Sequence, residues 1–231
     1  MDDSSTGPNE PSGGAADASD TADLARRQRR VFCNRSLRLD QVEWVGFDMD
    51  YTLAIYNQAE MDRAAVRSTL GRLVGSGYPA DLAELVCPLD FPVRGLLVDI
   101  ERGNVLKMDR YRYVKVAHHG LTLLSRDERR ALYEQRPQPG ATGFQWVDTL
   151  YSLADVTVYC AVIDALDRAG VVTEYAQLWR DVRRCADDVH RSGEIYALIE
   201  AEFERFVQPD PMLAPLLHRL RSSGKKLFLL T

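Results

Sequence analysis

Asp48 and Asp50 stand two residues apart at the end of the apolar run Val42-Glu43-Trp44-Val45-Gly46-Phe47. In an extended chain, residues two apart leave the same face, so both carboxylates are aimed into one space. Held so close, they repel unless a cation or a shared proton intervenes. A hard, oxygen-seeking ion such as Mg2+ suits the pair, because it takes one or two protein carboxylates, keeps several waters and leaves room for a phosphate oxygen. The alternative use of the same residues is an acidic turn solvated at a strand end. Thr52 follows, and Asp-x-Asp-x-Thr after a wholly apolar strand is a narrower pattern than two acids alone.

A second constellation lies in the segment from Glu174 to His190. Arg183, Asp187 and His190 fall at i, i+4 and i+7 of a helix, beside an apolar stripe of Leu178, Val182, Ala186 and Val189. Spacing alone leaves two uses open: a helical Arg/Asp ion pair with a capping His, or a polar stripe that grips a ligand.

The elements that must position these groups follow from hydrophobic period. Val42 to Asp48 predicts a buried parallel strand with its carboxyl end at a functional edge. Glu60 to Val74 predicts a helix with Val66, Leu70, Leu73 and Val74 inward, stopped by Gly75, Gly77 and Pro79. The period then changes: Arg94 to Glu101, Val105 to Asp109 and Tyr111 to Ala117 predict an antiparallel meander, turning at Arg102-Gly103-Asn104. Ser125 and Glu128 predict a capping box for a helix running to about Gln135. Helices are expected over Asp155 to Arg168, Glu174 to His190 and about Gly193 to Val207. Pro211 to Ser222 predicts another, with Leu213, Leu216, Leu217 and Leu220 inward and Gly224 at its C-terminal cap. Leu227 to Leu230 predicts a second buried strand, beyond which the sequence stops at Thr231.

Composition narrows the function classes. The 231 residues carry 29 Lys+Arg against 34 Asp+Glu, a net charge of -5, so no general attraction to nucleic acid or an anionic membrane is expected. No apolar run is long enough to span a bilayer, and the N-terminus lacks the layout of a secretory signal, so a cytoplasmic setting is expected. Cys33, Cys87, Cys160 and Cys185 are scattered, with no metal-ligand spacing. Residues 1–30 read as a disordered tail of small and polar residues, ending in the basic run of Arg26, Arg27, Arg29 and Arg30.

The Asp48-x-Asp50-x-Thr52 strand end resembles the first motif of the haloacid dehalogenase superfamily of phosphatases. Gly46 to Ala54, Gly77-Tyr78-Pro79, Arg94-Gly95-Leu96, Gly103 to Asp109 and His119-Gly120 resemble, more narrowly, the cytosolic purine 5′-nucleotidase family, over about Ser36 to Thr231. The resemblance implies an α/β fold: a partial Rossmann-like core with a mixed α+β cap inserted between its first two strands. It divides the chain into core residues 31–75, a cap over 76–208 and a second core helix and strand over 209–231. It also implies Mg2+-dependent hydrolysis of nucleoside 5′-monophosphates through an aspartyl-phosphate. Asp48 is then the nucleophile and Asp50 the general acid and base, with the metal held by the Asp48 carboxylate and the Asp50 backbone carbonyl. Thr231 corresponds to the second motif's hydroxyl residue, which binds the phosphoryl group. Arg183, Asp187 and His190 match a Val-Arg-x3-Asp-x-Val-His segment that recognises the purine nucleoside.

The match has departures. Leu121-Thr122 stands where the family carries a base-stacking Phe-Asn, and Tyr196 stands where it carries a lysine. The family's later lysine and further acidic residues have no counterpart, so the chain is expected to be an incomplete form, poorly active alone and prone to self-association. Two other functions stay open: a phosphatase of another small phosphate ester, and a non-catalytic fragment acting through cap-mediated association.

Overall fold

The structure, a computed structural model, describes residues 38–135, 137, 138 and 140–230. The expected tail over 1–30, its basic run, Cys33 and Thr231 lie outside the described residues. In chain order the elements are β1 (Trp44–Asp48), β2 (Ile55–Tyr56), α1 (Gln58–Gly75), β3 (Leu96–Asp99), β4 (Asn104–Met108), β5 (Val114–His119) and β6 (Thr122–Leu123). There follow α2 (Arg126–Leu132), β7 (Phe144–Val147), α3 (Tyr151–Arg168), α4 (Tyr175–Arg191), α5 (Glu194–Ala201), α6 (Phe203–Phe206), β8 (Val207–Gln208), α7 (Leu213–Ser222) and β9 (Lys226–Leu230).

The arrangement is mixed α/β. β1 and β9 run parallel, with Asp48 level with Leu230. Between them in sequence lies a five-stranded antiparallel sheet in the order β6-β5-β4-β3-β7. The meander was legible in the sequence; β7, which pairs with the free side of β3, was not, because Phe144–Val147 is a four-residue strand behind a Pro- and Gly-rich stretch. Alternation along β3 sends Leu96 and Val98 to one face and Leu97 to the other. The first face packs with Val105 and Val147 against α3, α1 and α4. The second is covered by Tyr133 at the end of α2, with Leu106 and Ala117. α3 is apolar nearly all round from Val156 to Ile163 because it lies between the sheet and α4.

A polar network ties the sheet to α2 and α3. The Asn104 amide donates to the Tyr133 hydroxyl at 2.8 Å, and that hydroxyl donates to Asp99 at 2.8 Å. Asn104 Oδ1 lies 2.8 Å from His119 Nδ1, whose other nitrogen lies 2.9 Å from Asp167 on α3. Arg102 completes the set on Asp99 at 3.2 Å.

Three expectations are corrected. β1 and β9 are not buried: Trp44 is 57% exposed, and Phe228, Leu229 and Leu230 are exposed with it, because each strand has only the other as a partner among the described residues. α7 buries none of its residues; Leu216 faces solvent and Leu213, Leu217 and Leu220 are half-buried. The helix expected over Gly193 to Val207 breaks at Glu202 into α5 and α6, and its last residue becomes β8. The cap of α7 is as expected. Lys225 N–H reaches Leu220 O and Gly224 N–H reaches Arg221 O, a closure that needs the left-handed φ of +84° at Gly224.

Candidate active site

β1 ends at Asp48 because the chain turns. The N–H groups of Thr52, Leu53 and Ala54 converge on Met49 O at 3.3, 3.0 and 2.9 Å, and Tyr51 N–H donates to Ala54 O at 2.8 Å. Tyr51 takes a left-handed φ of 58° to close this turn. Asp50 is therefore not the next step of an extended strand. The two carboxylates do share a space, but the turn after Asp48 brings them there rather than strand alternation. At Gly46, an added Cβ would lie 2.7 Å from the Phe228 ring, so glycine lets β9 pack across β1.

Asp48 and Asp50 line a cleft of about 350 Å³ with His190 of α4, a size within the range of small-molecule sites. A separate apolar cluster of Ala64, Val189, Ile195, Phe206 and Val207 reaches the cleft through Ile195 and through Tyr56, Met61 and Ile199, which pack on it. The two-residue pairing of β2 with β8 brings this cluster under the Asp50 turn, with Tyr56 opposite Val207. The Tyr56 hydroxyl donates to Asp50 Oδ1 at 2.9 Å, and its ring meets Tyr51 edge to face at 5.3 Å. Tyr51 hydrogen-bonds Gln58, whose amide donates to Asp62 at 2.7 Å. Burial holds the Asp62 carboxyl above the usual carboxylate range, opposed by the Gln58 hydrogen bond.

The cap-helix residues divide. His190 lines the acidic cleft, whereas Arg183 and Asp187 line a neighbouring, more open one of about 540 Å³ with Trp179, Arg180, Arg184 and Arg191. Ala186 and His190 line the one cleft, while Arg184, Asp187 and Arg191, each about 100° further round α4 or more, line the other, so the two clefts open on adjacent faces of the helix. Arg183 pairs with Asp155 of α3, so the Arg/Asp pair on α4 that spacing allowed gives way to a pair between helices. Asp155 is only 7% exposed and forms part of the acidic cleft's wall. Burial pushes its carboxyl up, opposed by the Arg183 charge and hydrogen bond. Leu121 packs into the main core and Thr122 Oγ1 donates to Asp164 at 3.3 Å; neither lines the acidic cleft, while Tyr196 does. Sequence reasoning missed Tyr56, Asp62 and Asp155. Asp155 alone carried a signal, as the one acid in the run from Leu153 to Ile163.

The donor set bears on a metal. Among the described residues no group of three or more His, Cys, Asp and Glu side chains is arranged to hold an ion. Two carboxylates at one end of a cleft fit a cation that asks for one or two and retains water, which is Mg2+, and do not make the closed set of a structural zinc site.

The 5′-nucleotidase domain-containing protein 2 of Rattus norvegicus is 31% identical to this chain over 216 residues, covering 87% of the chain and 38% of that protein. The chain thus spans well under half of that relative's length. The family model described as the 5′ nucleotidase family matches residues 31–231, a span that includes β1, the Asp48–Asp50 turn and the whole cleft, so the chain belongs to the 5′ nucleotidase family.

Proposed function

We propose that the protein containing this chain hydrolyses nucleoside 5′-monophosphates at the Asp48–Asp50 cleft, within a haloacid dehalogenase-type core over 31–75 and 209–231 capped by 76–208. The observation that carries this reading is that the carboxyl end of β1, the turn after it and the cap-helix residue His190 all line one cleft. Asp48 acts as nucleophile. A carboxylate needs no base to attack phosphorus, and the ester that forms divides the hydrolysis into two easier steps. Asp50 gives a proton to the departing oxygen and takes one from water in the second step. The Asp48 carboxylate and the Asp50 backbone carbonyl would hold Mg2+, which supplies charge to offset repulsion between the carboxylates and the phosphate. Thr231, the next residue in sequence after β9, is assigned to the phosphoryl oxygens. His190 and Tyr196 offer rings to the nucleoside, and Arg183 acts on it through Asp155, with Asp187 alongside. The free thiols Cys87, Cys160 and Cys185 suit the cytoplasm.

One observation favours a second reading, another small phosphate ester. Arg183 is turned to Asp155 and Leu121-Thr122 lies off the cleft, which weakens the case for a purine. Phosphate release from purine and pyrimidine nucleoside monophosphates and from sugar phosphates, with and without Mg2+, tests both. Release from nucleotides that requires Mg2+ supports the first reading; release from sugar phosphates alone replaces it with the second.

A further inference from the structure

We propose that Tyr56 is a positioning residue for Asp50: its hydroxyl bonds one carboxylate oxygen and so orients the carboxyl for proton exchange with the reacting phosphate ester. The inference rests on the hydrolytic reading above. It begins from the 2.9 Å hydrogen bond between the Tyr56 hydroxyl and Asp50 Oδ1.

The tyrosine is held from three sides. Its backbone is fixed opposite Val207 by the β2–β8 pair, and the next residue's N–H donates to Phe206 O at 2.8 Å. Its ring packs on the cluster containing Phe206 and Val207 and meets the Tyr51 ring edge to face. A ring so fixed delivers its hydroxyl to one place at little entropic cost. Asp50 lies inside the turn that follows β1, its backbone bridged to Ala54, so what remains to be set is the direction of its carboxylate, which its hydrogen bond to Tyr56 helps to fix.

In the first step a bond forms between an Asp48 oxygen and phosphorus while the ester P–O bond breaks; its electron pair stays on the leaving oxygen, which takes the proton from the Asp50 carboxyl. In the second step water oxygen bonds phosphorus, the Asp48–phosphorus bond breaks, and the water proton returns to Asp50. Tyr56 donates to Asp50 Oδ1 throughout and exchanges no proton. Losing it misdirects the acid and leaves substrate binding alone, so kcat falls and KM does not. The loss grows with the basicity of the leaving oxygen, because a good leaving group departs without a proton.

The test compares the protein with its Tyr56→Phe variant, in Mg2+, on 4-nitrophenyl phosphate, phenyl phosphate and a purine nucleoside 5′-monophosphate. The expected result is a loss in kcat of about 10- to 100-fold on phenyl phosphate, under about threefold on 4-nitrophenyl phosphate, with KM and the melting temperature unchanged. In an Asp50→Asn background, Tyr56→Phe should add nothing. Equal losses on the two aryl esters, or a further loss in the Asp50→Asn background, overturn the inference. Parent protein that cleaves aryl esters but no nucleotide overturns the nucleotide reading alone, since the aryl pair still decides the role of Tyr56. Parent protein that cleaves none overturns both.

Discussion

Three side chains in the cleft carry separate expectations. Asp48→Asn keeps the shape but cannot attack as an anion, so single-turnover phosphate release should fall by at least about a thousandfold; undiminished release would remove Asp48 as the nucleophile. Arg183→Ala strands the Asp155 carboxylate in the cleft wall. Because Arg183 itself is partly exposed, the cost in urea denaturation should be about 1–3 kcal/mol, and Asp155→Asn should recover part of it in the double variant. Asp62 gives a pH dependence. Its folded carboxyl binds a proton more tightly than the unfolded value of 3.8, so the folded state holds the extra proton and stability falls as pH rises through and above that value. Asp62→Asn abolishes this fall, and its melting temperature relative to the parent should rise as pH increases through and above 3.8. Asp48 and Asp50 could be placed together by spacing and type because they stand in a short local pattern, whereas spacing left His190 open to a capping role and only the family resemblance put it at the cleft. Tyr56 and Asp155 could not be placed by spacing and type, because their partners come from the turn preceding β2 and from another helix.

Elements with one long apolar stripe were legible, and those defined by partners were not. The α4 stripe of Leu178, Val182, Ala186 and Val189 is buried as its period predicts, and the Ser125/Glu128 capping box forms on α2. β2 and β8 have two residues each, too few for any period, yet their pairing sets Tyr56. The exposure of β1 was illegible for a related reason: an apolar strand shows that it can be covered, and only the fold shows by what. The Asn104–Tyr133–Asp99 network, with His119 on the Asn104 side chain, ties the Gly103-Asn104 turn to β5 and to the end of α2. Tyr133→Phe leaves the Asn104 amide and Asp99 each short of a partner. It should cost about 1–3 kcal/mol by chemical denaturation, with β3–β4 amide exchange rising along with it.

At the scale of the whole molecule, the β1–β9 pair and α7 expose apolar side chains beside one another. Trp44, Leu216, Leu229 and Leu230 are all exposed there, beside strand edges unpaired among the described residues. Such a face associates, so light scattering should report oligomers that Leu216→Lys with Leu229→Lys disperses; an unchanged mass would show that the face is inert. No helix of the described residues is long and apolar enough to cross a membrane. The parallel pairing of Trp44 with Lys226 also has a temporal side. Synthesis proceeds at about 5–20 residues per second, so roughly 10–40 s separates the emergence of the two strands from the ribosome. Within that interval the five-stranded sheet, α3 and α4 can close through contacts far more local in sequence. The strand bearing Asp48 must wait until Lys226–Leu230 has followed it before this pairing can form. On arrested nascent chains, protease resistance should therefore reach the sheet before it reaches residues 44–56, and the acidic cleft should be the last part of the molecule to acquire its shape.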